Sequence, residues 1–184
     1  SYEEFVREYA SVGKPVIITD VIKNWKVSTE WTMDFFRSKY GSVKSPVVNY
    51  KPGIGYWNQK HKRMKMADYI DYITSDNPDK SLYLSEFNAR NHPELLEDCD
   101  KVIYFNNDSK NWYRKIPLKY LNRYFGRVSK ILIGRKDSTA GLHYDRHCDT
   151  AWVAVMSGRK QIVLFSPDQE KYLYVVELTP SIRT

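Results

Sequence analysis

The stretch LHYDRHCDTAWVAVMSGRKQIVLFSPDQ, Leu142–Gln169, decides how the rest of the chain is read. It opens with His143 and Asp145, two metal-ligating residue types one residue apart. It then runs into an apolar segment closed by Gly158, Arg159 and Lys160. On a strand, side chains at i and i+2 share a face, so an imidazole and a carboxylate at this spacing aim into one cavity. A facial Fe(II) site takes two neutral imidazoles and one carboxylate and leaves positions open. His-x-Asp supplies two of those ligands and leaves the last to another strand. The spacing alone also fits an ordinary surface strand end. Lys160 begins the next strand; inside an apolar cavity a lysine is costly unless it meets an anion, and the other reading is a strand-end lysine in solvent.

Working outward, four strands are expected in close succession, SKILIG, AGLHYD, TAWVAVMSG and KQIVLFS, within a core run over 127–184. The part before it, 1–126, alternates helices and strands. YEEFVREYA places Tyr2, Phe5, Val6, Tyr9 and Ala10 on one helical face. PVIITDV reads as a buried strand. Thr32 is placed to cap the helix MDFFRSKY, which Gly41 closes. PVVNY is a strand and KPGIGYW a loop. Met66, Tyr69, Ile70 and Ile73 mark another helix, ended by Asp76, Asn77 and Pro78. SLYLSEF is a strand, Pro93–Cys99 a helical turn, and IPLKYLNRYFG a helix with Ile116, Leu121, Tyr124 and Phe125 inward. Helices early and strands late favour an α+β domain around an antiparallel sheet, sandwich or barrel.

The totals suit one domain with a real core: 184 residues, 42% hydrophobic and 15% aromatic. No repeat or linker divides them. No apolar run approaches the roughly 20 residues that span a bilayer. No signal peptide is visible, and the chain begins at Ser1 without Met. Cys99 and Cys148 cannot form a disulfide framework and suit an intracellular, reducing compartment, nuclear or cytoplasmic. The net charge of +7 permits an acidic partner such as RNA, DNA or an anionic cosubstrate. The densest basic stretch, Lys60 to Lys65, reads as a solvated loop or helix start, or as a contact for nucleic acid or an acidic peptide.

Several motifs together resemble one family. They are GKPVIITDV followed by Trp25, SLYLSEF, HYD with Lys160 seventeen residues after the histidine, TAW, and GRKQIVLFSPDQEKYLY. The sequence resembles the JmjC domain of the cupin superfamily, the Fe(II)- and 2-oxoglutarate-dependent oxygenases, over nearly its whole length. The likeness is strongest to the small JmjC hydroxylases that act on proteins, including the arginine-demethylase and lysyl-hydroxylase type. The asparaginyl-hydroxylase and tRNA wybutosine-hydroxylase types share much of the pattern. The resemblance implies a double-stranded β-helix, the cupin jelly roll, with helices ahead of it. It implies that His143 and Asp145 bind iron, and that Lys160 and the Tyr83 hydroxyl hold the distal carboxylate of 2-oxoglutarate. A protein side chain is the implied substrate, with nucleic acid a lesser candidate and no membrane involved.

Three positions depart from the family pattern. Ala140 stands where relatives often carry a cosubstrate-binding Thr; Thr139, one residue earlier, takes that role only if the strand bulges. Val153 stands where some relatives have an Asn. The second iron-binding His belongs to a later strand, and no His follows Lys171. His147 is the nearby substitute, but three same-face residues of a straight strand spread at about 6.5–7 Å per pair and do not converge on one ion. Two accounts of the missing ligand follow. Either the chain is a piece of a longer oxygenase whose final strands lie elsewhere, or it is a non-catalytic relative serving as an interaction or assembly module, with RNA or ribonucleoprotein as its setting. An incomplete barrel would expose an edge and apolar core, to be covered by a second copy or another polypeptide. A metal-free small-molecule-binding cupin is a third account, and it requires Lys160 to face solvent.

Overall fold

The computed structural model describes residues 1–51, 54, 58–76, 82–92, 94–97, 130–145 and 151–173. Helix α1, Tyr2–Glu8, starts in a capping box: the Ser1 hydroxyl accepts from the Glu4 amide, and the Glu4 carboxylate reaches back to the N-terminal amine. A short helix α2, Val27–Glu30, precedes α3, Met33–Tyr40. Thr32 caps α3 as its sequence position implies, its Oγ1 accepting from the Phe35 amide at 3.1 Å. Strands β1, Lys44–Asn49, and β2, His61–Lys65, form a hairpin that runs straight into α4, Met66–Thr74. Strand β3 spans Leu82–Asn88, a helical turn α5 spans Glu94–Glu97, and β4 spans Lys130–Ile133.

The four strands make one antiparallel sheet in the order β2-β1-β3-β4. Val47 faces Leu84 and Val48 faces Tyr83 across β1 and β3, while the pairing of β3 with β4 shifts register between Leu84 and Phe87. Helices α3 and α4 cover one face. Phe36 and Tyr40 from α3 and Met66, Tyr69 and Ile70 from α4 meet Val47, Leu82, Leu84, Phe87 and Ile133 of the sheet. Val47, Leu84 and Ile70 are at most 1% exposed, and burying side chains of that kind is worth about 1.5–3 kcal/mol each. The Arg37–Asp71 ion pair joins the two helices at the surface. Because strand side chains alternate, Tyr83, between the buried Leu82 and Leu84, belongs to the face away from α3 and α4.

A second apolar cluster is built on Trp25 and Val27. Val21, Ile22, Trp31, Trp152, Ala154 and Met156 pack against it. Over 151–156 exposed and half-buried residues alternate, and the inward set is Trp152, Ala154 and Met156. The period-two reading of TAWVAVMSG therefore holds for burial, though not for hydrogen bonding.

Several expectations need correction. The PVIITDV segment forms no strand, and Ile17 is 91% exposed. Gly13, two residues before the segment, and Asp20, within it, both take positive φ, +65° in each, and no ladder partner lies alongside among the described residues. Of the four late strands, only Lys130–Ile133 pairs into the sheet; AGLHYD, TAWVAVMSG and KQIVLFS have no ladder over their described residues. Periodicity marks a segment able to be a strand, but a ladder also needs a neighbour. The basic stretch ending at Lys65 is neither loop nor helix start but strand β2, an edge position that leaves its charged side chains in water. The expected helix IPLKYLNRYFG lies outside the described residues.

Candidate metal and cosubstrate site

His143 and Asp145 come together. The His143 Nδ1 lies 2.7 Å from the Gly141 carbonyl oxygen. A carbonyl only accepts, so Nδ1 carries the proton and, in the neutral ring, Nε2 carries the lone pair. Nε2 stands 3.7 Å from Asp145 Oδ1. Imidazole and carboxylate bonds to a divalent ion run near 2.0–2.2 Å, so one ion between these two atoms is within reach of both. A ring whose other nitrogen is anchored on a backbone carbonyl is the arrangement metal-binding histidines favour. The donor set, one imidazole and one carboxylate, suits a divalent transition metal of borderline softness. The pair is open to solvent on one side, the side chains being 28% and 54% exposed. Between them in sequence, the Tyr144 phenol is held above its usual range by local desolvation and then by the charge and hydrogen bond of Glu170. That contact ties the His143–Asp145 segment to the 3-10 helix Pro167–Tyr172.

The other candidates are more dispersed. Tyr83 is half-buried on β3. Its ring lies over Gly134, just past the end of β4, where an added Cβ would stand 2.8 Å from Tyr83 Cε2 and 2.9 Å from Cδ2. The Tyr50 ring lies near it, centroid to centroid 6.2 Å and tilted by 51°. Thr139 is exposed and follows a turn in which the Ser138 amide and hydroxyl both donate to the Arg135 carbonyl. Lys160 is exposed and makes no hydrogen bond or ion pair among the described residues. No group of three or more His, Cys, Asp or Glu side chains able to hold a metal forms among the described residues. His147 and Cys148 lie outside them, as does Cys99.

Sequence reasoning left Gly134 and Tyr50 unassigned, although both touch the Tyr83 ring. A glycine directly after an apolar strand was the available signal for Gly134. Tyr50 had none, because an aromatic at the end of a β-branched strand reads as core. His92, also unassigned, stacks on Phe87 with ring centroids 5.0 Å apart, and its Nδ1 lies 3.7 Å from Glu94 Oε1. Glu94 in turn accepts a hydrogen bond from the Tyr40 hydroxyl at 2.8 Å.

The Cupin-like domain family model matches residues 2–184. The chain belongs to the JmjC-type cupin-like family. This JmjC-like chain is 30% identical, over 90% of its length, to the bifunctional arginine demethylase and lysyl-hydroxylase psr-1 of Caenorhabditis elegans, and spans 39% of that protein. It is 28% identical to the lysine-specific demethylase JMJ21 of Arabidopsis thaliana, over 91% of this chain and 16% of the relative. It is 26% identical to the human 2-oxoglutarate and iron-dependent oxygenase JMJD4, over 94% of this chain and 43% of the relative. The chain thus spans less than half the length of each of these proteins. The antiparallel sheet and its helices fit a cupin-like domain. No helix among the described residues is long and apolar enough to cross a membrane.

Proposed function

We propose that this chain carries part of the active centre of an Fe(II)- and 2-oxoglutarate-dependent oxygenase that hydroxylates or demethylates a protein side chain. The observation that carries the reading is the His143–Asp145 pair: an imidazole nitrogen and a carboxylate oxygen 3.7 Å apart, with the opposite ring nitrogen anchored on Gly141. Family membership supports it, as do relatives named for arginine demethylation, lysyl hydroxylation and dependence on 2-oxoglutarate and iron.

In this proposal His143 and Asp145 supply two iron ligands and a further His completes the set. Tyr83 donates its phenol proton to the distal carboxylate of 2-oxoglutarate, and Lys160 pairs with the same carboxylate. A neutral donor together with an ammonium fixes such an anion better than either alone. Thr139 adds a hydroxyl at the rim. Bound Fe(II) with 2-oxoglutarate supplies the means of activating O2 at the expense of the oxo acid. The protein's part is to bind, orient and shield. Closure of the sheet into a double-stranded β-helix and an intracellular, reducing setting belong to the same proposal.

The test is anaerobic titration of the intact protein with Fe(II), then with 2-oxoglutarate, followed by calorimetry and by the visible charge-transfer absorption of the chelate. His143→Ala and Asp145→Ala are expected to abolish the absorption, and Lys160→Ala to weaken 2-oxoglutarate while leaving Fe(II) binding intact. Equal Fe(II) binding by wild type and both ligand variants would overturn the reading in favour of a binding module without turnover.

A further inference from the structure

The charge of this protein is concentrated in one place. Residues 35–67 contain eight Lys and Arg and no Asp or Glu, one more cation than the entire formal excess of +7. The rest of the chain is therefore close to neutral. Two of the eight are engaged on the helical layer: Arg37 pairs with Asp71, and the Lys39 ammonium lies 5.4 Å from the Phe35 ring centre. The other six are Lys44, Lys51, Lys60, Lys62, Arg63 and Lys65. Among the described residues none of these six meets a carboxylate. Arg63 instead donates to the Lys44 carbonyl at 2.6 Å.

The fold gathers this charge on an edge. Among the described residues, strand β2 is the outermost strand of the sheet and pairs only with β1, and every residue in it except Met64 is exposed. His61, Arg63 and Lys65 project to one side and Lys62 to the other. Lys65 stands directly opposite Lys44, a like-charge cross-strand pair that costs stability. Lysines on an edge strand repel a second copy of the same edge. The same row attracts a strand of opposite sign, and the outward N–H and C=O groups of an edge are a template for one.

We infer that β2 is a docking edge for an extended acidic polypeptide segment. Such a segment adds as a further strand and sets carboxylates, repeating every second residue at about 6.5–7 Å, against His61, Arg63 and Lys65. Polypeptide is favoured over nucleic acid on two grounds. The edge offers main-chain pairing, which a nucleic acid does not use. And no exposed Phe, Tyr or Trp ring stands on the described part of this hairpin, whereas single-stranded nucleic acid binding relies chiefly on such rings for stacking. The inference is independent of the oxygenase proposal.

Fluorescence anisotropy on the intact protein tests it, with a labelled short peptide alternating Glu and Val as the probe. Binding is expected to weaken as salt rises and to fall at least about tenfold in the triple variant K62E/R63E/K65E. The same peptide N-methylated at alternate residues keeps its charge but cannot pair its backbone, and is expected to lose binding to a similar extent. The exposed positions and the relieved Lys44–Lys65 repulsion favour folding of the variant. Should it fail to fold, K62Q/R63Q/K65Q and a Lys-Val peptide of opposite charge give the same comparison. Tighter binding of single-stranded RNA of equal charge, undiminished binding of the N-methylated peptide, or indifference to the substitutions would overturn the inference.

Discussion

The Tyr69 hydroxyl donates to the Ile133 carbonyl at 2.6 Å and accepts from the Leu84 amide at 3.1 Å. One phenol on α4 thus ties down two strands, and it does so with no exposure to solvent. Tyr69→Phe keeps the ring and strands both backbone groups. Since an unsatisfied buried polar group costs about 1–3 kcal/mol, a loss of about 2 kcal/mol or more is expected in urea unfolding, with the m-value unchanged.

The same phenol gives an alkaline signature. Burial holds its proton far above the usual tyrosine range. A group whose folded pKa is raised contributes stability that is complete below the unfolded value, near 10, and is lost as pH climbs past it. Stability is therefore expected to fall above about pH 10, with up to about 1.4 kcal/mol per pH unit arising from this group. Tyr69→Phe removes that slope. Equal slopes in the two proteins between pH 9 and 11, by about the same denaturant midpoint method, would count against it.

On the acid side Glu94 behaves in the opposite sense. The Tyr40 hydrogen bond is the first cause of its lowered pKa, followed by its own backbone amide and the nearby His92. A depressed carboxylate contributes stability above its unfolded pKa, near 4.3, and loses it as pH falls through the folded value. Tyr40→Phe is expected to flatten the midpoint-versus-pH curve below about pH 4.5, where wild type declines. Carboxyl titration by NMR should show Glu94 returning toward its ordinary range.

Gly134 sits where any side chain meets the Tyr83 ring and the Ser138 hydroxyl. Gly134→Ala must displace that ring. If Tyr83 holds the cosubstrate as proposed, 2-oxoglutarate affinity is expected to drop about tenfold, which is about 1.4 kcal/mol, while Fe(II) affinity stays the same. Calorimetry separates the two. A parallel loss of both would indicate general damage instead.

The alternation over 151–156 makes a paired test. Ala154 packs toward Trp25, whereas Val155 is 41% exposed. Ala154→Asp is expected to cost about 1–3 kcal/mol through a desolvated carboxylate, and Val155→Asp less than about 0.5 kcal/mol. Equal effects in thermal melts would refute the inward assignment of residue 154.

Much of the architecture was legible in the residues. Thr32 before MDFFRSKY, the Met66–Tyr69–Ile70–Ile73 spacing and the apolar PVVNY and SLYLSEF segments all became the elements they implied, because capping and period are local properties. The strand-like PVIITDV and KQIVLFS did not, because pairing depends on what lies alongside. The HKRMK stretch was hidden for the opposite reason: its charges read as solvated, and only an edge position allows a strand to be solvated too. At the site, the i, i+2 spacing singled out His143 and Asp145, which stand 3.7 Å apart although AGLHYD forms no ladder. The tautomer set by Gly141 and the contact of Gly134 with Tyr83 were not legible, since both depend on the path of the backbone in three dimensions.

Trp31 packs against both apolar clusters, the sheet-and-helix core and the smaller one around Trp25. The smaller cluster rests on few side chains and can come apart while the sheet stays intact. Amides near Trp25 and Trp152 should then exchange with deuterium sooner than those of β1 and β3. Trimming the indole with Trp31→Leu should widen that gap, turning one cooperative opening into two.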